Sequence, residues 1–279
     1  KAPVTIEQMF LGGILPGFLL VGLTAWWGIA VGPKREGSGS RFDFTATRRA
    51  IWEAKWELLL PVVAIVALFG GFATPVEAAA VTAFYAFFIE TFVYRDLKWL
   101  RSQTTASVEP GRVPPTILNV VTECGLLVGG VLLILGVANG FTNYLVDAEI
   151  PAKMVEWTTT SIHSPWMFLL LLNLFLLVVG CLMDIYSAIV VVVPLIVPIG
   201  KVYGIDPVHL GIIFLANLEL GYLTPPVGMN LFLASYRFKK PMAEVIRAII
   251  PMLFVLLAGV IVITYVPALT TLLPRWFGH

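Results

Sequence analysis

An all-helical integral membrane protein is the fold class this sequence predicts, on three observations. Of its 279 residues, 58% are hydrophobic and only 13% charged, a balance far outside that of ordinary soluble domains. The apolar residues gather in long runs near 9–31, 57–72, 76–94, 117–146, 166–180, 185–200, 208–235 and 248–273, each bounded by charge, proline or glycine. Continuous runs such as "FLLLLNLFLLVVG" do not alternate, so they do not suit the strands of a membrane β-barrel.

A spanning helix needs roughly 20 apolar residues. Several runs reach that length, whereas 166–180 and 185–200, at about 15 residues and about 23 Å each, are short for a crossing. They read as a hairpin. Fourteen of the eighteen basic residues lie in three segments. These are Lys34, Arg35, Arg41, Arg48, Arg49 and Lys55; then Arg95, Lys98, Arg101 and Arg112; then Arg237, Lys239, Lys240 and Arg247. Cytoplasmic loops retain positive charge, which places all three inside and the acidic stretch 147–164 outside.

This assignment threads the chain in order. It passes in at 9–31, out and back at 57–94, and out again at 117–146. An odd number of crossings must then connect 147–164 to Arg237. A re-entrant hairpin at 166–203 followed by one crossing at 208–235 satisfies that parity, and the C-terminal run 248–273 returns outside. The stretches "REGSGSRFDF" (35–44) and "SVEPGRVPP" (107–115) read as loops by turn chemistry. Residues 150–162 read as a short surface-lying helix. Cys124 and Cys181 lie in different apolar runs and suit free thiols. With a net charge of +1, no nucleic-acid partner is expected. The chain opens on Lys1 rather than methionine, so a fragment is expected.

A Gly-x-x-Thr-Pro pattern occurs twice, at Gly71 to Pro75 and at Gly221 to Pro225. In the first, Thr74 can cap a helix, Pro75 can take its first position and Glu77 can close a capping box. In the second, Val227 stands where the acid would be. Pro225 and Pro226 remove two amide donors and bias preceding residues away from helix, so carbonyls near Gly221 and Tyr222 are expected to lose their helical partners. A helix broken inside a membrane presents carbonyls suited to a hard cation such as sodium. A simple proline kink is the competing reading. Asn217, Glu219, Thr224 and Asn230 favour a site, because four polar side chains exceed what a kink needs. The hairpin tip "GCLMDIYSA" adds Gly180, Asp184, Tyr186 and Ser187. An intramembrane aspartate is by default a candidate functional group, although Asp184 can also cap the returning helix. Sodium is expected between Gly180, Gly221 and Thr224, with Asp184, Ser187, Asn217, Pro225, Pro226, Gly228 and Asn230 supporting the site. No transition metal and no other cofactor are expected.

The stretch "GCLMDIYSAIVVVVPLIVPIGKVYGIDPVHLGIIFLANLELGYLTPPVGMNLFLAS" resembles the large membrane subunit of tripartite ATP-independent periplasmic (TRAP) transporters. "GGFATPVEAAAVTAFYAFFIE" and "LGGILPGFLL" resemble the same family. That resemblance implies a sodium-driven importer of organic acids, a dicarboxylate or similar carboxylate, in the inner membrane of a bacterium or archaeon. Its implied partners are a small membrane subunit and a periplasmic substrate-binding protein. The implied fold is one half of an elevator-type transporter with a re-entrant hairpin and a discontinuous helix. The implied regions are 1–56 as a helix and basic linking loop, 57–164 as scaffold-type helices and a connecting helix, 165–240 as the transport core, and 241–279 as the C-terminal helix. The family's first repeat has no counterpart here.

Two other classes compete. A channel also uses broken helices and re-entrant loops. An intramembrane hydrolase would need H-E-x-x-H or an aspartyl dyad, whereas His163, His209 and His279 are isolated and Asp147 and Asp206 lie at interfaces. The protein is therefore not expected to be an enzyme.

Overall fold

The structure is a computed structural model that describes residues 4–32, 44–70, 74–94, 117–183, 185–226 and 228–277. Every regular element among these residues is helical. Six helices are long and apolar enough to cross a membrane. The chain forms two compact units, residues 34–131 and residues 1–33 with 132–279. The division falls inside α5 (Ile117–Asp147), which follows α1 (Ile6–Val31), α2 (Phe44–Glu53), α3 (Lys55–Phe69) and α4 (Pro75–Phe88).

In the first unit, α3 and α4 pack antiparallel, because the Tyr85 hydroxyl near the end of α4 donates to the Trp56 carbonyl at the start of α3, at 2.9 Å. The Thr74 hydroxyl accepts from the Glu77 amide at 3.4 Å, the Glu77 carboxylate accepts from the Thr74 amide at 2.7 Å, and Pro75 occupies the first turn. Two amide donors at the helix start are thereby satisfied. A π-helical turn, Ile89–Val93, extends α4. The basic segment after α1 is not loop throughout. From Phe44 onward it is α2, whose Arg49 and Glu53 pair at 2.9 Å one turn apart. Residues 33–43 and the expected loop 107–115 lie outside the described residues.

The second unit holds α1, the end of α5, then α6 (Ile150–Ser161), α7 (Pro165–Leu182), α8 (Ile185–Val202), α9 (Pro207–Gly221), α10 (Met229–Phe238), α11 (Met242–Tyr265) and α12 (Ala268–Trp276). Side-chain contacts fix the helix directions. Tyr203 at the end of α8 stacks on Phe168 at the start of α7, with centroids 4.7 Å apart, and donates to Ile162 O after α6 at 2.6 Å. Trp166 of α7 stacks on Tyr265 at the end of α11, centroids 5.2 Å apart. His209 in the first turn of α9 meets Thr264 and Thr270. A side chain on Gly12 of α1 would strike Val208 and Thr270. So α1, α7 and α9 run one way and α8 and α11 the other. Arg237, Lys239, Lys240 and Arg247 lie at the end where α10 finishes and α11 begins. Helix α6 lies at the opposite end.

The core of this unit is built from alternate turns of α7, α8 and α9. Leu176 and Ile213 are fully buried, and Leu172, Val192, Ile196 and Leu218 are nearly so. Three observations refine the element boundaries. Helices α7 and α8 each run 18 residues, about 27 Å at helical rise, because α7 takes in Pro165, Cys181 and Leu182 and α8 takes in Lys201 and Val202 beyond the apolar runs. The shortness argument for a hairpin is therefore weaker than the sequence suggested. Second, Pro267 interrupts the C-terminal apolar run, so α12 is separate from α11. Third, the α7 end is level with the middle of α11. Gly180 touches Gly221, while Leu220 and Leu223 share a cavity wall with Met252 and Leu256. Helix α11 begins at Met242, about ten residues and about 15 Å further on.

Candidate functional site

The proline pair breaks the helix between Gly221 and Met229. Helix α9 unwinds through tight turns, Leu223 N–H to Leu220 O at 3.0 Å and Thr224 N–H to Gly221 O at 2.9 Å. The Pro225–Pro226 bond is cis. Helix α10 then starts at Met229, after Gly228, and the Asn230 backbone amide reaches back to Tyr222 O at 3.1 Å. The carbonyls of Gly221 and Tyr222 lose their helical donors but gain non-helical ones, because the chain folds back on itself across the break. A carbonyl oxygen has two lone pairs, so Gly221 O, which accepts from Thr224 N–H, has room for a further partner. Thr224 does not cap α10. Its hydroxyl donates to Leu220 O at 2.9 Å, which leaves the oxygen lone pairs free to accept.

Gly180 and Gly221 meet backbone to backbone. A methyl on Gly221 would lie 2.6 Å from both Gly180 C and Gly180 Cα, and 3.1 Å from Cys181 N. Only glycine at both positions lets α7 and α9 cross this closely. At Gly228 a methyl would lie 2.6 Å from Tyr222 O and 2.8 Å from Thr224 O, so two carbonyl oxygens converge where Gly228 has no side chain. The structure thus brings Gly180 to Gly221, and draws Thr224, Pro225, Gly228 and Asn230 into one compact break. Ser187 lies in the first turn of α8. Asp184 lies outside the described residues, as do Gly71 of the first pattern and Val227. Cys181 is a buried free thiol and Cys124 an exposed one.

Asn217 is fully buried one turn before Gly221. Its amide donates to Asn173 Oδ1 at 2.6 Å and to Ile213 O at 2.9 Å. Asn173 Oδ1 also accepts from the Thr264 hydroxyl at 3.0 Å, and its own amide donates to Leu169 O at 2.7 Å. Thr264 O meets His209 Nε2 at 3.1 Å, and His209 Nδ1 meets the Thr270 hydroxyl at 2.8 Å. A buried polar chain therefore ties α7, α9, α11 and α12 together. Asn217 Oδ1 is buried without a partner among the described residues. Sequence reasoning missed Asn173, Thr264 and Thr270 and set His209 aside as isolated. The one available signal was Asn173, a lone amide in an apolar run, where a membrane tolerates polarity only if it is satisfied.

Glu219 does not join this cluster. It lines a separate cavity of about 600 Å³ with residues of α1 and α11, on another side of α9 from the face that meets Gly180. Among the described residues no three His, Cys, Asp or Glu gather as a metal set. The break offers carbonyl, hydroxyl and amide oxygens, the ligand types that hard cations take.

Residues 2–269 match the family described as the tripartite ATP-independent periplasmic transporter, DctM component. The chain is 36% identical over 275 residues to the C4-dicarboxylate TRAP transporter large permease protein DctM of Pseudomonas aeruginosa, covering 98% of this chain and 61% of that protein. It is 37% identical over 282 residues to the protein of the same name from Vibrio cholerae, covering 97% and 61%. It is 33% identical over 273 residues to the isethionate TRAP transporter permease protein DctMQ of Oleidesulfovibrio alaskensis, covering 96% and 40%. The chain thus spans about three-fifths of the length of the DctM relatives it matches. Those relatives are permeases, which answers the hydrolase alternative. A broken, glycine-crossed helix in a multi-pass membrane fold, matched along nearly its whole length, establishes that this chain belongs to the DctM family of TRAP transporter large permeases.

Proposed function

We propose that the chain forms the ion-binding half of a sodium-coupled importer of an organic acid. The observation that carries this reading is the backbone contact of Gly180 with Gly221 beside the break at Thr224. It holds Gly180 of α7 beside the half-buried break that carries Thr224, about 15 Å by helical rise from the start of α11. Sodium is the coupling ion, held by carbonyls near Gly180 and Gly221 and by Thr224 Oγ1, and no other cofactor is needed. Asn217, with its spare buried acceptor, holds the shell in place.

The hairpin α7–α8 is re-entrant in this reading. The level of its tip, opposite the middle of α11, supports that better than helix length does. The basic end of the unit faces the cytoplasm and the α6 end the periplasm, across a bacterial or archaeal inner membrane. In this reading residues 165–240 form the moving core of an elevator mechanism and residues 57–164 supply scaffold-type helices. The substrate is an organic acid, by analogy with the C4-dicarboxylate and isethionate relatives. A periplasmic binding protein delivers it, and a small membrane subunit completes the transporter.

The test is uptake against sodium concentration in vesicles holding the complete transporter and its binding protein. Thr224→Val keeps the shape and removes one oxygen. Its sodium midpoint is expected to rise at least severalfold while docking of the binding protein is retained. An unchanged midpoint and maximal rate would leave the proline pair as a kink. Uptake that neither saturates nor follows sodium would instead favour a channel.

A further inference from the structure

His209 is buried in the first turn of α9, and its ring enters the corner where α11 turns into α12. Nε2 lies 3.1 Å from Thr264 O and Nδ1 lies 2.8 Å from Thr270 Oγ1. Both threonines are fully buried. Helix α1 closes the corner, since a methyl on Gly12 would lie 2.9 Å from Thr270 O.

These partners fix where the protons sit. A carbonyl oxygen only accepts, so Nε2 carries the ring hydrogen. In a neutral ring Nδ1 then accepts, and the Thr270 hydroxyl supplies the proton. That hydroxyl has a second acceptor within reach, Pro267 O at 3.0 Å. Pro267 O already faces the Thr271 hydroxyl at 2.9 Å and the Thr270 and Thr271 amides at 3.1 and 3.0 Å, more donors than two lone pairs serve. The neutral ring therefore suits every group around it. A second proton on Nδ1 turns that acceptor into a donor and drives the Thr270 hydrogen toward the crowded carbonyl. The acid of the same turn, Asp206, is held by the Val208 and His209 amides at 2.9 and 3.3 Å. On the helices around this turn the other titratable groups are Glu7 in the first turn of α1, Lys201 in the last turn of α8, Tyr265 beside Thr264, and Arg275 in the last turn of α12. Neither ring nitrogen bonds to any of these. Cys181, Tyr186, Glu219, Glu244 and Arg247 lie toward the opposite ends of their helices.

We propose that His209 is a positioning residue whose neutral ring latches the start of α9 to the α11–α12 corner, and that a proton from the periplasmic side opens the latch and slows transport. His209, Ile213, Asn217 and Gly221 follow at every fourth residue, so they share one stripe of α9. That stripe carries the ring at the α6 end, the Asn217 contact with Asn173 in the middle, and the Gly180 crossing beyond it. Thr264 joins the first two. Its carbonyl takes the His209 hydrogen and its hydroxyl donates to Asn173 Oδ1, so releasing the ring loosens the frame that aligns Asn173 with Asn217. Histidine ordinarily titrates near about pH 6.5, a range that an outer surface meets. The control of transport rests on the proposed function and orientation; the latch rests on the hydrogen bonds alone.

The test compares wild type with His209→Gln and His209→Leu in the complete transporter. Glutamine keeps a donor and an acceptor and does not titrate, whereas leucine keeps neither. Thermal unfolding is followed from about pH 8 to about pH 5, across the histidine range. Over that range the wild-type Tm is expected to fall roughly 3 °C further than that of His209→Gln. At the alkaline end His209→Gln should melt above His209→Leu. Thr270→Val removes the donor to Nδ1 with little change of volume and should melt below wild type there. In vesicles, acidifying the side that holds the binding protein should slow wild-type uptake at least threefold more than uptake by His209→Gln. An equal fall in Tm for wild type and His209→Gln would overturn the latch. So would a His209→Gln protein no more stable than His209→Leu, or a Thr270→Val protein that melts with wild type. Equal slowing of uptake, with the Tm difference intact, would overturn the control of transport. The sodium reading is decided by Thr224→Val, which none of these variants touches.

Discussion

Adding one methyl group at Gly221 tests the helix crossing on which the candidate site depends. In Gly221→Ala the new carbon would lie 2.6 Å from two backbone atoms of Gly180 and 3.1 Å from Cys181 N. Comfortable carbon contacts begin at about 3.5 Å, so α7 and α9 must separate by roughly 1 Å. No side chain can rotate away, because every atom struck belongs to the backbone. Overpacking of this kind costs about 1–3 kcal/mol. For a domain of this size that lowers the Tm by roughly 2–4 °C per kcal/mol. Gly180→Ala meets Gly221 Cα and Leu218 Cα at 3.1 Å, a milder clash, and should fall between Gly221→Ala and wild type. Gly13→Ala is the control, since its methyl would sit 3.7 Å from Ile212 Cδ1, and alanine favours helix over glycine. The assay is thermal unfolding of the purified full-length transporter, with sodium-driven uptake measured on the same preparations. A Gly221→Ala protein that melts with wild type, or a Gly13→Ala protein that loses as much, would refute the steric argument.

The buried amide pair gives a second test. Asn173→Leu leaves the Asn217 amide and the Thr264 hydroxyl each short of one partner and should cost about 1–3 kcal/mol. Asn173→Leu with Asn217→Leu should cost less than the two single changes added, a coupling readable by a double-mutant cycle in denaturant; strict additivity would refute the network. At the other Thr-Pro break, Glu77→Gln should leave the Tm within a degree of wild type, because glutamine also closes a capping box. Thr74→Ala should cost about 1 kcal/mol. A large loss of sodium dependence in Glu77→Gln would show that this break is more than a cap.

Features set by a few consecutive residues were legible in the sequence. The capping box of Thr74, Pro75 and Glu77 spans one helical turn, and its geometry follows from local backbone rules alone. The break after Gly221 was equally local, since two prolines without amide donors end a helix whatever surrounds them. The helical membrane class followed from run length, because lipid leaves the backbone no other partner than itself.

Packing decided what those local rules leave free. Gly180 and Gly221 are forty-one residues apart, and only the parallel course of α7 and α9 brings their backbones into contact. Asn173 looked like a stray amide until Asn217 and Thr264, from two other helices, closed around it. The carbonyls freed at the break found donors within it, Gly221 O from Thr224 and Tyr222 O from Asn230, because a chain in a membrane must pair its backbone groups. Glu219 sits two residues from Gly221 in sequence, yet helical rotation turns it toward α1 and α11 instead. Helix periodicity fixes the angle between such neighbours, but which face meets which partner depends on how the other helices pack around them.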